Sequence, residues 1–353
     1  MTRHPPRTLS IWYIHDGRPG HLSQLQGLAD RLSAHHKVHE TWIAASEFKF
    51  SLSSLLLKRK AINLSSLKSS TSKSFTTESF TTKSRPGTPA TLVNQTKPDI
   101  IIGAGHKTHK AVLLAAKHFK AFSTLVMKPS LPLSWFNAII CPKHDGLSDS
   151  KRILNTNGAI NKITPPSSKD ITANKRHKHL ILIGGPSKHF IFDEQKILRE
   201  IKGLCQYDKS QTWHLSNSPR TPESFNQKLK ALDISNLVIH QYHAHTFGQL
   251  DETLKQSSFT WVTADSMSMI YESLTSGSQT AIFTLPPSNP KKPSRIAKQV
   301  QSLVDDELVN CYENWIPRPA HTERALAPQA STIWEADRAA IWLLERFQET
   351  TKS

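Results

Sequence analysis

The chain has 353 residues, and its 45 lysines and arginines against 28 aspartates and glutamates give a formal net charge of +17 and an isoelectric point near 9.8. With 37% hydrophobic residues and a mean hydropathy of −0.43, the length predicts two globular domains, and no apolar run approaches the ~20 residues of a membrane-spanning helix. Cys141, Cys205 and Cys311 are odd in number and far apart, which excludes a disulfide framework and a CxxC metal site and predicts inert thiols.

The opening MTRHPPRTLSIWYIHDGRPG holds basic residues but no apolar stretch ending in a small-residue cleavage site, so a cytoplasmic protein is expected. Ile11 to Ile14 read as a buried strand, and Leu22, Leu25, Leu28, Ala29 and Leu32 mark one face of the helix that follows. The loop between them is Asp16-Gly17-Arg18-Pro19-Gly20-His21. A strand near 38–43 comes next. Residues 65–88 contain 14 Ser or Thr among 24 and too few large apolar side chains to fold alone. With Lys58-Arg59-Lys60 they predict a disordered basic insertion over about 58–92. A strand at Ile100 to Ile102 then runs into Gly103-Ala104-Gly105-His106 and a helix through Val112 and Leu113, and short strands are expected near 124–127 and 138–141.

The polar, proline-containing run 161–178 reads as an interdomain linker. Beyond it come a strand at Leu180 to Ile183, the loop Gly184-Gly185-Pro186-Ser187, a helix from about Asp193 to Leu204, and strands near 212–215, 236–240, 259–263 and 280–284. Thr221-Pro222-Glu223 predicts a helix capped by Thr221 with proline at its first position, and Asp265-Ser266 opens another that stops before Gly277. This alternation predicts an α/β protein with two parallel-sheet domains, 1–162 and 179–330, joined by a linker at 163–178 and closed by a C-terminal helix within 331–353.

The charge is not shared equally. Up to Lys175 there are 25 Lys and Arg against 9 Asp and Glu, a net +16, and the remainder carries 20 against 19. A field on one half draws that half to a polyanion, whether nucleic acid, an anionic bilayer surface or an acidic lipid-linked substrate. A charge serving only solubility has no reason to be confined to one half. The basic residues are not interleaved with aromatic stacking platforms, so nucleic acid is not the expected partner.

In doubly wound sheets ligands sit beyond the carboxyl ends of the strands, where glycine-rich loops present backbone N–H groups. DGRPGH adds to such a loop a guanidinium, Arg18, for an anion, and Asp16 or His21 as a base. A tight turn alone does not call for Arg and His around Pro-Gly. Gly103, Gly105 and His106 form a second loop of this kind, equally compatible with a plain turn. GGPS at 184–187 lacks the Lys-Ser/Thr of a P-loop and the third glycine of a dinucleotide fingerprint, which argues against ATPase and NAD chemistry. In Thr263-Ala264-Asp265-Ser266-Met267-Ser268-Met269-Ile270-Tyr271-Glu272, Asp265 sits at a helix tip and Glu272 on nearly the same face with Ser268 between, a set suited to sugar or ribose hydroxyls. Alternatively Asp265 and Ser266 only cap the helix, which leaves Glu272 unexplained. His240, His243 and His245 have no carboxylate or cysteine nearby to complete a metal site, and no metal or cofactor is expected.

Five blocks, DGRPGHLSQLQGLADRL, MKPSLPLSWFNAIICPKHD at 127–145, GGPSKHF at 184–190, SPRTP at 218–222 and TADSMSMIYESLTSG at 263–277, resemble the mitochondrial-fission Elm family, which comprises plant elongated-mitochondria proteins and bacterial homologues treated as glycosyltransferases. The resemblance covers both domains in order. It implies a GT-B-like fold, with two Rossmann-type domains facing across a cleft, the N-terminal one for the acceptor and the C-terminal one for a nucleotide-sugar. The DGRPGH loop is similar to the glycine loop ending in His of the GT-B peptidoglycan glycosyltransferase. By that likeness His21 is the base, Asp16 orients it, and Gly17, Arg18, Gly20, Gly103, Gly105 and His106 contact the acceptor. Gly184, Gly185, Ser187, Arg220 and Thr221 are implied for the donor diphosphate, and Asp265, Ser266, Ser268 and Glu272 for the ribose or sugar. The implied activity is metal-independent transfer of a sugar to an anionic glycolipid or polysaccharide acceptor by a protein lying on the inner face of the cell membrane. The same fold also admits a partner-binding protein without activity and a nucleotide-sugar epimerase.

Overall fold

The computed structural model describes residues 7–48, 97–166, 178–207, 209–240, 249–315 and 333–352. The Ser/Thr-rich insertion and most of the expected linker lie outside them. The chain forms two units, residues 1–162 with 335–353, and residues 163–334.

The first unit is a parallel sheet of β1 (Leu9–His15), β2 (Val38–Ala44), β3 (Ile100–Ala104), β4 (Phe122–Val126), β5 (Ala138–Pro142) and β6 (Ile153–Thr156), in the order β2-β1-β3-β4-β5-β6. Its central strands are continuous apolar runs rather than alternating ones, because helices cover both faces. Ile100, Ile101 and Ile102 are all fully buried. Helix α1 (Pro19–His35) follows β1, and α2 (His109–Phe119) follows β3. The strand β6 has the sequence Ile-Leu-Asn-Thr, too short and polar to register as a buried strand from pattern alone. The C-terminal helix Glu335–Lys352 belongs to this unit: Asp337 accepts from Arg31 Nε at 2.6 Å and lies 2.7 Å from His35 Nε2, tying it to α1.

Gly27 shows how close the packing on α1 is. A Cβ at this position would fall inside contact distance of the Asn161 backbone carbonyl, with Lys162 N at 3.0 Å. Gly27→Ala should therefore destabilise the protein by about 1–3 kcal/mol, since a backbone cannot swing aside as a side chain can. A denaturant midpoint unchanged from wild type would refute this close approach.

The second unit is also a parallel sheet, ordered β12-β11-β10-β7-β8-β9, from β7 (Lys178–Leu182), β8 (Trp213–Ser216), β9 (Leu237–His240), β10 (Ser257–Thr263), β11 (Gln279–Phe283) and β12 (Asn310–Cys311). Its core gathers Ile181, Phe225, Trp261, Ile282 and Phe283 with the helix Glu194–Tyr207. Two helix starts differ in detail from expectation. Thr221 does not cap the helix Glu223–Ala231; Pro222 is the N-cap residue, and the Thr221 hydroxyl donates to the Gly184 carbonyl instead. Ser266 is the N-cap residue of Met267–Thr275 but makes no side-chain capping bond.

Both strand orders reverse at one point. In the first sheet the chain runs from β1 to β2 on one side and then to β3 on the other; in the second it runs β7-β8-β9 outward and returns to β10 beside β7. A crevice opens at the carboxyl ends of the strands at such a switch, because the loops on either side leave toward opposite faces. The switch points are β1/β3 and β7/β10.

Candidate functional site

At the β1/β3 switch, β1 gives way to Asp16, and Gly17 turns the chain with a φ of 79°. Arg18 is the N-cap residue of α1 and Pro19 its first residue, where the missing N–H costs nothing. The Asp16 side chain, 1% exposed, accepts from the Arg18 backbone N–H at 3.1 Å and lies 3.0 Å from His21 Nδ1 through each oxygen. Burial works against ionisation of Asp16, but the Arg18 amide, the His21 bond and the nearby charges of both residues outweigh it and hold the carboxyl below its ordinary range. A carboxylate only accepts, so Nδ1 of His21 carries a hydrogen, and the nitrogen left to exchange a proton is Nε2. The result is an imidazole whose orientation is set by a buried carboxylate.

The GAGH loop meets this pair. Gly105 has a φ of 87°, and a Cβ on it would run into the His21 ring, 2.5 Å from Cε1, and approach Asp16 Oδ2 to 3.0 Å. Glycine is needed there to let backbone, imidazole and carboxylate share the crevice. Gly103 differs: it lies within β3, where a Cβ would sit 2.5 Å from Val112 Cγ2 and 2.7 Å from Thr108 Oγ1, so it serves the seating of α2 on the sheet. Gly17, Arg18, Gly20 and His106 are exposed, and a Cβ on Gly20 would meet nothing within 4 Å.

His109, which the sequence reading passed over, is 2% exposed at the first position of α2. Its Nδ1 is 3.1 Å from Ser130 Oγ and accepts from the Ser130 backbone N–H at 3.4 Å. The signal that marks it is a histidine on the apolar stripe His109, Val112, Ala116. Burial, with the nearby His106, lowers its pKa to about 4. The unfolded chain therefore takes up this proton first, and stability is lost as pH falls from 6.5 to about 4, by at most about 3 kcal/mol, with no contribution above 6.5. Burial shifts His15 and His144 the same way. Denaturant titrations across that window should be steeper in wild type than in His109→Gln; equal slopes would refute a buried neutral His109.

At the β7/β10 switch three loops are knitted together. Gly184 N–H donates to Thr263 Oγ1 at 2.8 Å and Gly185 N–H to Asp265 Oδ2 at 2.9 Å. Arg220 holds the same oxygen at 2.8 Å and donates through Nη1 to the carbonyls of Gly185 and Pro186 at 3.0 and 3.3 Å. The hydroxyls of Thr221 and Ser218 donate to the Gly184 carbonyl at 2.5 and 2.9 Å. Thr263 and Ser218 are structural partners that sequence spacing did not single out. Asp265, its side chain 1% exposed, thus serves the glycine loop rather than a helix cap. Ser187 Oγ accepts from the His189 and Phe190 amides at 3.2 and 3.3 Å. What faces outward is the half-exposed Arg220, the exposed Ser268 and the uncapped start of Met267–Thr275, with Glu272 half-buried farther along that helix. Such a helix start offers unpaired amides to an anion.

No group of three or more metal-ligating side chains occurs among the described residues. His240 lies 3.1 Å from His214 through ring nitrogens, and His243 and His245 fall outside the described residues. The three cysteines are buried, and burial pushes the thiols of Cys141 and Cys205 up to about 11 and about 12.

Residues 19–347 match the family described as mitochondrial fission ELM1. An uncharacterized protein of Rickettsia prowazekii (strain Madrid E) is 23% identical over 365 residues, which takes in 90% of this chain and 97% of the relative. Among solved structures, a UDP-N-acetylglucosamine 2-epimerase matches with a TM-score of 0.55 at 13% identity, over 97% of each chain. The UDP-GlcNAc 2-epimerase of Methanocaldococcus jannaschii matches with 0.52 at 12%, over 96% of this chain and 100% of that one. These structural likenesses establish the fold, that of GT-B-type proteins built from two parallel-sheet α/β units. The sequence match extends over most of the chain, and the protein belongs to the mitochondrial fission ELM1 family.

Proposed function

We propose that the protein is a glycosyltransferase that moves a sugar from a nucleotide-sugar to a hydroxyl of an anionic, lipid-linked or cell-envelope acceptor. The observation that carries this reading is the His21–Asp16 pair, oriented and pressed against Gly105 at a switch point. His21 Nε2 takes the hydroxyl proton as the acceptor oxygen attacks the anomeric carbon; the bond to the diphosphate breaks, and the nucleoside diphosphate leaves with its electron pair. Asp16 stabilises the imidazolium that forms. The second unit holds the donor: Arg220, held by the loop that Gly184 and Gly185 build, takes the diphosphate side, and Ser268 and Glu272, on the helix that follows Ser266, take the ribose or sugar. Arg220 and the start of Met267–Thr275 stabilise the leaving diphosphate in place of a divalent ion, so chelation leaves the rate unchanged.

The excess of Lys and Arg before Lys175 supports attachment to the anionic inner face of the cell membrane. A second reading, nucleotide-sugar epimerase, is favoured by the solved epimerases that share the fold. It differs in needing no acceptor.

The test is thermal stability of the purified protein with UDP, CMP, GDP and ADP, since a ligand bound only by the folded state raises the melting temperature. A rise with one nucleotide, lost in Glu272→Ala, supports a donor site and names its class. Acceptor-independent conversion of the matching nucleotide-sugar would replace transferase with epimerase. No rise with any nucleotide would overturn both enzyme readings.

A further inference from the structure

From Ile100 to His144 the chain holds six lysines, Lys107, Lys110, Lys117, Lys120, Lys128 and Lys143, and neither an acid nor an arginine. The first four lie on α2 or at its ends, and all four are exposed. At 100° and 1.5 Å per residue, Lys110 and Lys117 share one line roughly 10 Å long, and Lys107 and Lys120 stand within about a quarter turn on either side of it. Half-buried Leu113 and Leu114 lie on the same face, while the opposite stripe, Ala111, Val112, Ala115 and Ala116, is buried against the sheet. Among the described residues none of the four lysines is ion-paired. A face kept for solubility mixes signs, as other helices of this chain do. Glu335–Lys352 exposes Arg338, Glu345 and Glu349, and Glu223–Ala231 exposes Glu223, Lys228 and Lys230.

Two further features mark this face. Lys120, the C-cap residue of α2, has a φ of 53° and a ψ of 43°, a left-handed conformation that helix ends ordinarily give to glycine. A lysine there holds a strained backbone and adds one more charge to the stripe. Beside α2, the loop after β4 packs Leu131 and Leu133 on the same apolar cluster that the helix covers, and Phe136 lies edge-on to His109. Within that loop the short turn Leu133–Trp135 leaves Trp135 51% exposed, and Arg152 Nη1 donates to the neighbouring Ser134 carbonyl at 2.8 Å.

We propose that the outer face of α2 and the loop after β4 form a docking surface for an anionic bilayer, with the lysines at the lipid phosphates and Trp135 among the headgroups. This names the surface for the membrane attachment proposed above and rests on that attachment, not on the transfer chemistry. Composition favours a bilayer over nucleic acid. The face joins lysines to half-buried leucines and one tryptophan, the residue type that settles at a membrane interface. It has no row of exposed aromatics among the described residues on which bases could stack. Because the sheet already occupies its apolar stripe, α2 lies flat on the headgroups without inserting, and the attraction is one of charge, weakened by salt.

The experiment floats the full chain with vesicles of phosphatidylcholine alone and of phosphatidylcholine mixed with phosphatidylglycerol. Binding should require phosphatidylglycerol and fall as salt rises. A lysine beside an anionic surface contributes about fivefold to partitioning, so Lys110→Gln with Lys117→Gln should bind about 25-fold more weakly. Lys120→Gly should lose about fivefold while melting no lower than wild type, since glycine takes the left-handed cap without strain. A lysine serving stability alone would leave vesicle binding unchanged in that variant. Lys230→Gln, which removes an exposed charge from the second unit, should bind as wild type does. Brominated lipid should quench tryptophan fluorescence in wild type and not in Trp135→Phe. Undiminished binding by the Lys110 and Lys117 variant, or quenching that survives in Trp135→Phe, overturns this face. Lysine-dependent capture of single-stranded RNA without vesicle binding would overturn it in favour of nucleic acid. Wild type that floats with neither kind of vesicle would overturn the attachment itself. The nucleotide-induced rise in melting temperature is read on the same variants and should persist, so a failure here and a failure of the transferase reading are distinguishable.

Discussion

His21→Gln should lower the rate of sugar transfer by about 10²- to 10⁴-fold, the usual contribution of a positioned general base, and leave the nucleotide-induced rise in melting temperature intact. The asymmetry follows from placement: His21 sits at the β1/β3 switch of the first unit, and the nucleotide is assigned to the second. Asp16→Asn should also act on turnover. It keeps the shape but removes the charge that stabilises an imidazolium, and its amide can donate toward Nδ1 and shift the hydrogen to Nε2, where the base needs a lone pair. Gly105→Ala gives an independent handle, because its Cβ pushes into the His21 ring from the opposite loop. Transfer by His21→Gln at the wild-type rate would sink the assignment of the base.

The residues that meet in the first crevice could be picked out in the sequence, but not how they come together. Runs such as Ile100-Ile101-Ile102 mark buried strands, and glycine, Pro19 and a helical stripe mark the turn into α1. What brings Gly105 to His21 is the order β2-β1-β3, and strand order depends on which apolar faces pair over long separations. The same holds for Asp265. Its position at a helix tip reads locally as a cap, yet its carboxylate is 2.9 Å from an amide 80 positions earlier in the chain, because β10 lies beside β7. Hydroxyls misled in a related way. Ser187 and Thr221 were expected to meet a diphosphate, and the structure bonds each hydroxyl to backbone groups of the fold. His109 was missed because a histidine among alanines looks like a helix surface residue until its stripe is counted.

Gly185→Ala should be the most damaging small substitution in the second unit. The new Cβ would fall inside contact distance of the Arg220 carbonyl oxygen and carbon, which are backbone, and 2.8 Å from Arg220 Cβ. No rotamer relieves that contact, so the loops after β7 and β8 must part. We expect a loss of about 1–3 kcal/mol or more from overpacking. Parting them also loosens the bonds of Asp265 to the Gly185 amide and to Arg220, and a buried carboxylate stripped of both would cost several kcal/mol. Arg220 is 44% exposed, so water makes up part of that loss, and Arg220→Ala should be the milder variant. The comparison that isolates function is with Gly103→Ala, whose nearest clashes are with the Val112 and Thr108 side chains in the first unit. Both alanine variants should melt early, but at temperatures where each is still folded only Gly185→Ala should lose the nucleotide-induced rise. A Gly185→Ala protein that still responds fully to nucleotide would remove the donor from this loop, whatever its stability.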